Sequence, residues 1–301
     1  MGRIVVGVDG SEPADRALCW AVEEAQVRLA ELEIVLAYAT QFGGFRSPAH
    51  AAPGATGGRH PALAAANEAL AEQALQRVVA RNGEVLGRVK WSTTLAPVTT
   101  SPAHALVEAG DEAELVVVGS RGLGGFGALL LGSVSYGTAG HAPCPVAVVR
   151  HGDRAEVVAP ARIVVGIDDS RGARRALRWA VDEAELRGIP LTIAHGYSAP
   201  VVHLLGGLAP YAAADEARVQ ARDTAERVVA RALEIVDAPA TVRVDRVITM
   251  ASAAALMLDL AGDDTLLVVG TRGHGTIGRM VLGSVSQQVL HHATCPVVVA
   301  P

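Results

Sequence analysis

The chain has 301 residues, enough for two domains of ordinary size that each bury a core. Half of the residues are hydrophobic but only 3% are aromatic, so those cores are aliphatic; a net charge of −5 and a sole lysine, Lys90, argue against a broad nucleic-acid surface. No apolar run approaches the ~20 residues that span a bilayer, and Met1-Gly2-Arg3 leads into a strand too soon for a signal peptide, so a cytoplasmic protein without membrane contacts is expected.

The first strand, Arg3-Ile-Val-Val-Gly-Val-Asp9, recurs as Arg162-Ile-Val-Val-Gly-Ile-Asp168, so an internal repeat governs the architecture. Ser11-Glu12-Pro13 then starts a helix, with Ser11 as its N-cap and proline in the first turn. Leu18, Val22, Ala25 and Leu29 carry an apolar stripe along it. The counterpart helix is read from 175 to 186, and Trp20 and Trp179 fall at matching places as packing residues. Second strands are expected at 33–39 and 191–197.

Both halves then turn irregular, over 40–60 and 198–210. A long loop inside a compact domain is functional or mobile, but His50 and His60 are too scattered to suggest a metal. Long helices at 62–81 and 212–236 and third strands at 88–95 and 241–248 follow. Ser101-Pro102 and Ser252 open the next helices. Cys144 and Cys295 stand at matching places before Pro145 and Pro296, and with Cys19 they read as buried free thiols rather than a disulfide or zinc set.

The fourth strands, 115–118 and 266–269, are apolar and rich in β-branched residues, as parallel strands buried on both faces are. Each runs into a glycine motif. The first is Gly119-Ser120-Arg121-Gly122, nine residues, then Gly132-Ser133; the second is Gly270-Thr271-Arg272-Gly273, nine residues, then Gly283-Ser284. Helices at 133–141 and 284–292 and final strands at 146–149 and 297–299 complete each half. A glycine-rich turn between a strand end and a helix N-terminus suits an anion, because N–H groups converge there and glycine lets a phosphate approach the backbone. The same spacing in both halves argues against loops that are merely flexible.

Other phosphate motifs fit less well. A G-x-G-x-x-G runs from Gly122 to Gly127 and from Gly273 to Gly278, but it follows the fourth strand, whereas a dinucleotide fingerprint follows the first. Neither loop has the lysine of a P-loop. The competing structural readings are a turn or helix cap for Asp9 and Asp168, surface ion pairs for Arg121 and Arg272, and tight turns for the glycines.

The two copies match G-2x-G-9x-G-(S/T), and over almost its whole length the chain resembles the ATP-binding branch of the universal stress protein family. The resemblance implies an α/β fold of two tandem, doubly wound, parallel five-stranded sheets, Rossmann-like with strand order 3-2-1-4-5 and pseudo-two-fold related. The domains would be 1–150 and 161–301, joined by a charged linker at 151–160. In such sheets strands one and four meet at the topological switch point, where ligands bind. By the same resemblance Gly119, Arg121, Gly122, Gly132, Ser133 and Val134 surround ribose and phosphates, as do Gly270, Arg272, Gly273, Gly283, Ser284 and Val285. Asp9 and Asp168 take the adenosine side, and Ala39 and Gly196 supply backbone to adenine. Gly7 and Gly166 stand where the family often has proline, a departure expected to be tolerated.

The implied ligand is ATP, with Mg²⁺ as a nucleotide-bound ion and no dedicated metal site. The implied function is a stress-response or growth-regulating protein that couples nucleotide occupancy to an unknown protein partner. No catalytic residue is assigned: 119–134 holds no Asp, Glu, His or Lys, and 270–285 adds only His274 and Arg279. A slow ATPase acting as a timer and a nucleotide-free interaction module stay open as alternatives. In the family the final strand is an edge that pairs with its counterpart, which implies an intramolecular pseudo-dimer or a homodimer.

Overall fold

The computed structural model describes residues 2–40, 61–99, 101–122, 131–150, 158–198, 203–204, 207–208, 211–271 and 282–301. The first repeat runs β1 (Arg3–Gly7), α1 (Glu12–Arg28), β2 (Glu31–Ala39), α2 (Pro61–Arg81), α3 (Gly83–Leu86), β3 (Trp91–Val98), α4 (Pro102–Ala109), β4 (Leu115–Gly119), α5 (Ser133–His141) and β5 (Val146–Val149). The second runs β6 (Arg162–Gly166), α6 (Arg171–Arg187), β7 (Leu191–Gly196), β8 (His203–Leu204), β9 (Gly207–Leu208), α7 (Tyr211–Val236), β10 (Val244–Thr249), α8 (Ala253–Asp259), β11 (Thr265–Gly270), α9 (Ser284–His292) and β12 (Val297–Ala300).

By its internal contacts the chain divides into Met1–Thr138 and Ala139–Pro301. The first unit holds the parallel order β3-β2-β1-β4. The second holds β10-β7-β6-β11-β12, which is the order 3-2-1-4-5 for one complete repeat. Here β12 also pairs antiparallel with β5, Val297 opposite Val148 and Val299 opposite Val146. The short apolar final strands of the two repeats thus cover each other's edges.

The central strands β1, β4, β6 and β11 are aliphatic runs buried on both faces: Ile4, Val5, Val6, Leu115, Val116 and Val117 are fully enclosed, as are their counterparts from Ile163 and Leu266 onward. Each such side chain contributes about 1.5–3 kcal/mol of burial free energy. Trp20 packs in the core, while Trp179 is half-buried. Cys144 and Cys295 are buried and Cys19 half-buried, all as free thiols. Burial pushes the Cys295 thiol up to about 11, so it stays protonated at neutral pH. Among the described residues no helix is long and apolar enough to cross a membrane.

Helix starts follow the serines. Ser11, Ser101 and Ser252 each accept a hydrogen bond from a first-turn N–H. Ser170 does the same for Ala173, which starts α6 at Arg171, four residues before the start expected from its apolar pattern. The third strands begin at Trp91 and Val244, three residues later than expected. In the first repeat the turn after α3 occupies that stretch, with Arg88 donating its N–H to Val85 O and Val89 to Leu86 O. The bridge at 198–210 contains a small antiparallel pair, β8 with β9; His50 and His60 lie outside the described residues.

Leu29 departs from the apolar stripe of α1. It is the C-cap, left-handed at φ 53°, and 79% exposed, whereas Leu18, Val22 and Ala25 of the stripe are buried. The matching cap of α6 is Gly188 at φ 64°. A left-handed leucine carries a Cβ clash that glycine lacks. Leu29→Gly is therefore expected to stabilise the protein by about 1 kcal/mol, after the larger chain entropy of glycine is subtracted. A urea midpoint that stays level or falls would show that Leu29 makes a contact outweighing its strain.

Candidate functional site

β1 and β4 lie side by side and parallel, with Gly7 opposite Val118, so the segments leaving them face the same crevice. The crevice holds a cavity of about 480 Å³, within the usual size of small-molecule pockets. Its walls are Gly7, Val8 and Asp9 after β1, Val35 and Ala37 of β2, and Pro102 and Leu106 of α4. Gly119, Arg121 and Gly122 line the other side, with Leu131 and residues 132–135 where α5 begins. Eight of the expected site residues of the first repeat therefore meet in one place.

The glycines have distinct physical reasons. A Cβ at Gly119 would lie 2.7 Å from the Pro13 carbonyl oxygen, and one at Gly270 would lie 2.6 Å from the Gly172 carbonyl carbon. Both are backbone atoms in the first turn of α1 or α6, which cannot retreat, so the first glycine of each motif is a packing requirement. Gly122 is different: its Cβ would fall 2.2 Å from Asp9 Oδ2, so the loop backbone runs directly against that carboxylate. At Gly7 the intruding neighbour would be Leu106, and at Gly166 it would be Met257.

Asp9 Oδ1 accepts the Ser11 N–H at 3.0 Å, and Asp168 Oδ1 accepts the Ser170 N–H at 3.0 Å. These turns orient both carboxylates, and in the first repeat Oδ2 is aimed toward the Gly122 backbone. The nine-residue loops are closed at their bases in the same way: Gly132 donates its N–H to Ser120 O at 2.8 Å, and Gly283 to Thr271 O at 2.7 Å. The helices then begin with Tyr136 N–H on Gly132 O and Gln287 N–H on Gly283 O. Gly283 is an N-cap with no side chain to offer, so the cap residue supplies no side-chain acceptor to the first-turn N–H groups of α9. That leaves a partial positive charge suited to an anion. Ser133 and Arg121 are exposed at the rim, and Ser284 is exposed at the matching position of the second repeat.

Sequence reasoning missed the serines that hold these helices. Ser135 Oγ donates to Gly119 O at 2.6 Å and Ser286 Oγ to Gly270 O at 2.5 Å, both side chains buried. The available signal was the Ser-Val-Ser shared by both halves. Ala39 does not line the cavity; its carbonyl accepts the Asn67 side-chain N–H at 2.9 Å. The ladders pair Gly7 with Val35 and Gly166 with Ala194, so two residues further on the equivalent of Gly196 is Ala37, which does line it. In the second repeat Gly166, Asp168, Gly196, Gly270, Gly283, Ser284 and Val285 hold the matching element ends. Arg272, Gly273, His274 and Arg279 lie outside the described residues. Among the described residues no group of three or more His, Cys, Asp or Glu side chains could hold a metal.

The profile of the universal stress protein family matches residues 1–150 and 161–301. A universal stress protein of Mycobacterium tuberculosis is 35% identical over 300 residues, covering 99% of this chain and 96% of that protein. One from Mycolicibacterium smegmatis is 32% identical over 299 residues, covering 98% and 96%. Among solved structures, a universal stress protein from Archaeoglobus fulgidus has the same fold, with a TM-score of 0.66 at 22% identity over 99% of this chain and 97% of that one.

Ser135→Ala and Ser286→Ala each remove the hydroxyl that reaches a buried strand-end carbonyl. Each is expected to lower stability by about 1–2 kcal/mol. Denaturant unfolding of both single variants checks this, and two unchanged midpoints would mean the carbonyls need no such donor.

Proposed function

This chain belongs to the universal stress protein family, and we propose that it binds an adenine nucleotide, ATP with Mg²⁺ carried on the nucleotide, once in each repeat. The observation that carries the reading is the cavity between the ends of β1 and β4, where one oriented carboxylate, an apolar wall and a glycine-lined helix N-terminus converge. Each supplies a different recognition chemistry. Val35, Ala37 and Leu106 offer an apolar surface for a flat base, and Asp9 offers an acceptor for ribose hydroxyls. The loop amides and the start of α5 offer N–H donors for phosphates, with the Arg121 charge at the rim.

On this reading 1–150 and 161–301 are two nucleotide-binding domains joined by 151–160. They act in the cytoplasm, where occupancy is passed to a protein partner or a second copy in stress or growth control. ATP is a ligand rather than a rapidly consumed substrate. Hydrolysis needs a group to orient or deprotonate water beside the terminal phosphate. Among the described lining residues Asp9 is the one carboxylate, and one of its oxygens is occupied by the Ser11 N–H.

Calorimetric titration of the full chain with ATP and Mg²⁺ is expected to approach two equivalents. Gly122→Val, whose Cβ would displace the Asp9 carboxylate, should remove one of them; a wild-type plateau at one or none would defeat the two-site reading. Asp9→Asn separates the two jobs of this side chain, because asparagine still accepts the Ser11 N–H but gives up the charge. It should weaken the first site while leaving the unfolding midpoint in place, and unaltered affinity would leave Asp9 with a structural role alone. Phosphate release by highly purified protein should run far below the roughly 10 s⁻¹ median of enzymes. Rapid release lost in His274→Ala would make the protein an ATPase.

A further inference from the structure

The two repeats differ in what they present at the outer edge of their sheets. Among the described strands β10 pairs only with β7, and β3 only with β2. Leu191 donates its N–H to Arg243 O and Tyr197 to Thr249 O, so the backbone groups of the alternate residues, Val244, Arg246 and Ile248, point away from the sheet. On β3 the same reasoning, from Leu32 N–H on Lys90 O and Thr40 N–H on Val98 O, turns Thr93, Leu95 and Pro97 outward. Pro97 has no N–H to give, a device that protects edge strands. No proline stands in β10.

Beside β10 lies a groove of about 840 Å³ between the strand and α7, lined by Arg222, Arg227, Arg246 and Ile248 with Asp223 and Glu226. Arg222 is paired with Glu226 at 3.1 Å, and Arg227 donates to Asp223 O and Thr224 Oγ1. Arg246 is exposed and has no hydrogen-bond or ion-pair partner among the described residues. The first repeat has the opposite character. Matching the buried Ala71, Leu75 and Val78 of α2 to Ala225, Val229 and Ala232 of α7 places Glu68 and Gln73 where Arg222 and Arg227 stand. The strand registers place Thr93 where Arg246 stands. Among the described residues, a groove with more arginines than acids and an open strand edge therefore coincide in the second repeat and not in the first.

We propose that the β10 edge is a docking site for an extended acidic segment of a partner protein, which adds as a strand and lays alternate Asp or Glu side chains into the arginine groove. The backbone of Val244, Arg246 and Ile248 supplies the pairing groups. Side chains two apart on the added strand fall on one face, so a single register can point every acid at the groove. A second copy of β10 does not fit this role, because its own Arg246 would be brought against the cationic groove. The site is separate from the nucleotide crevice and stands whether or not that crevice binds ATP.

The test uses the full chain and a fluorescein-labelled, N-acetylated octapeptide of alternating Glu and Val, read by anisotropy. Saturable binding is expected, weakened at least about tenfold in Arg246→Glu by like-charge repulsion and more mildly in Arg227→Gln. Thr93→Glu, the matching change on β3, should leave it intact. Hydrogen exchange at the Arg246 and Ile248 amides should slow in the complex. Of two peptides N-methylated at odd or at even positions, one should lose binding. Undiminished binding by Arg246→Glu, or by both methylated peptides, overturns the proposal. Equal capture of inorganic polyphosphate in the same groove also overturns it, since that anion cannot pair with a strand.

Discussion

The close approach of a helix to a strand end sets the rest of this structure. At Gly119 and Gly270 the first turn of α1 or α6 passes so near the last residue of β4 or β11 that a Cβ would sit under 3 Å from helix backbone. Because the helix cannot shift without breaking its Ser11 or Ser170 cap, the strand must end in glycine. In the first repeat the chain then leaves the sheet beside Asp9, and the closing bond from Gly132 returns it to start a helix over the same crevice; Gly283 makes the matching bond in the second. Sheet, carboxylate and helix N-terminus are thus brought together by packing before any ligand is considered.

Much of this was legible because the chain says it twice. The duplicated Arg-Ile-Val-Val-Gly strands, the serine caps and the glycine spacing each rest on local rules of backbone geometry, and β-α alternation implies parallel sheets, while the strand order 3-2-1-4-5 was legible only through the family resemblance. What was hidden depends on registration between distant segments. Ala39 and Ala37 are two apart, on the same face of β2, so alternation cannot choose between them; only the pairing of Val35 with Gly7 does. Leu29 kept helical spacing but fell one residue past the helix, where conformation overrides periodicity. Ser135 and Ser286 looked like ordinary first-turn residues, and their role appears only when the carbonyls of Gly119 and Gly270 are found above them.

The repeats share a scaffold but not a surface. Their cores are alike in character, and the pairs of buried Glu24 with half-buried Arg28 and of buried Glu183 with half-buried Arg187 recur at matching turns of α1 and α6. A buried carboxylate that keeps a guanidinium beside it is constrained by stability alone. Exposed positions carry no such constraint. That is where Glu68 and Thr93 in one repeat give way to Arg222 and Arg246 in the other, so the difference between the halves lies in what they can meet rather than in how they fold.

The same distinction decides which residues of the crevice speak for a ligand. Gly119 is required by the helix, Ser135 by the Gly119 carbonyl, and Asp9 serves in part to turn the chain into α1. Each would be present in a protein that bound nothing. Arg121 and Ser133 are otherwise: both are exposed, and both line the cavity. Arg121 makes no hydrogen bond or ion pair among the described residues, so fold stability gives no reason for arginine there. A guanidinium without a partner among the described residues, beside a glycine-capped helix start, adds a second attraction for an anion to the one the backbone already provides. The glycines that announce the motif therefore speak less for a phosphate-bearing ligand than do the residues among them that packing does not need.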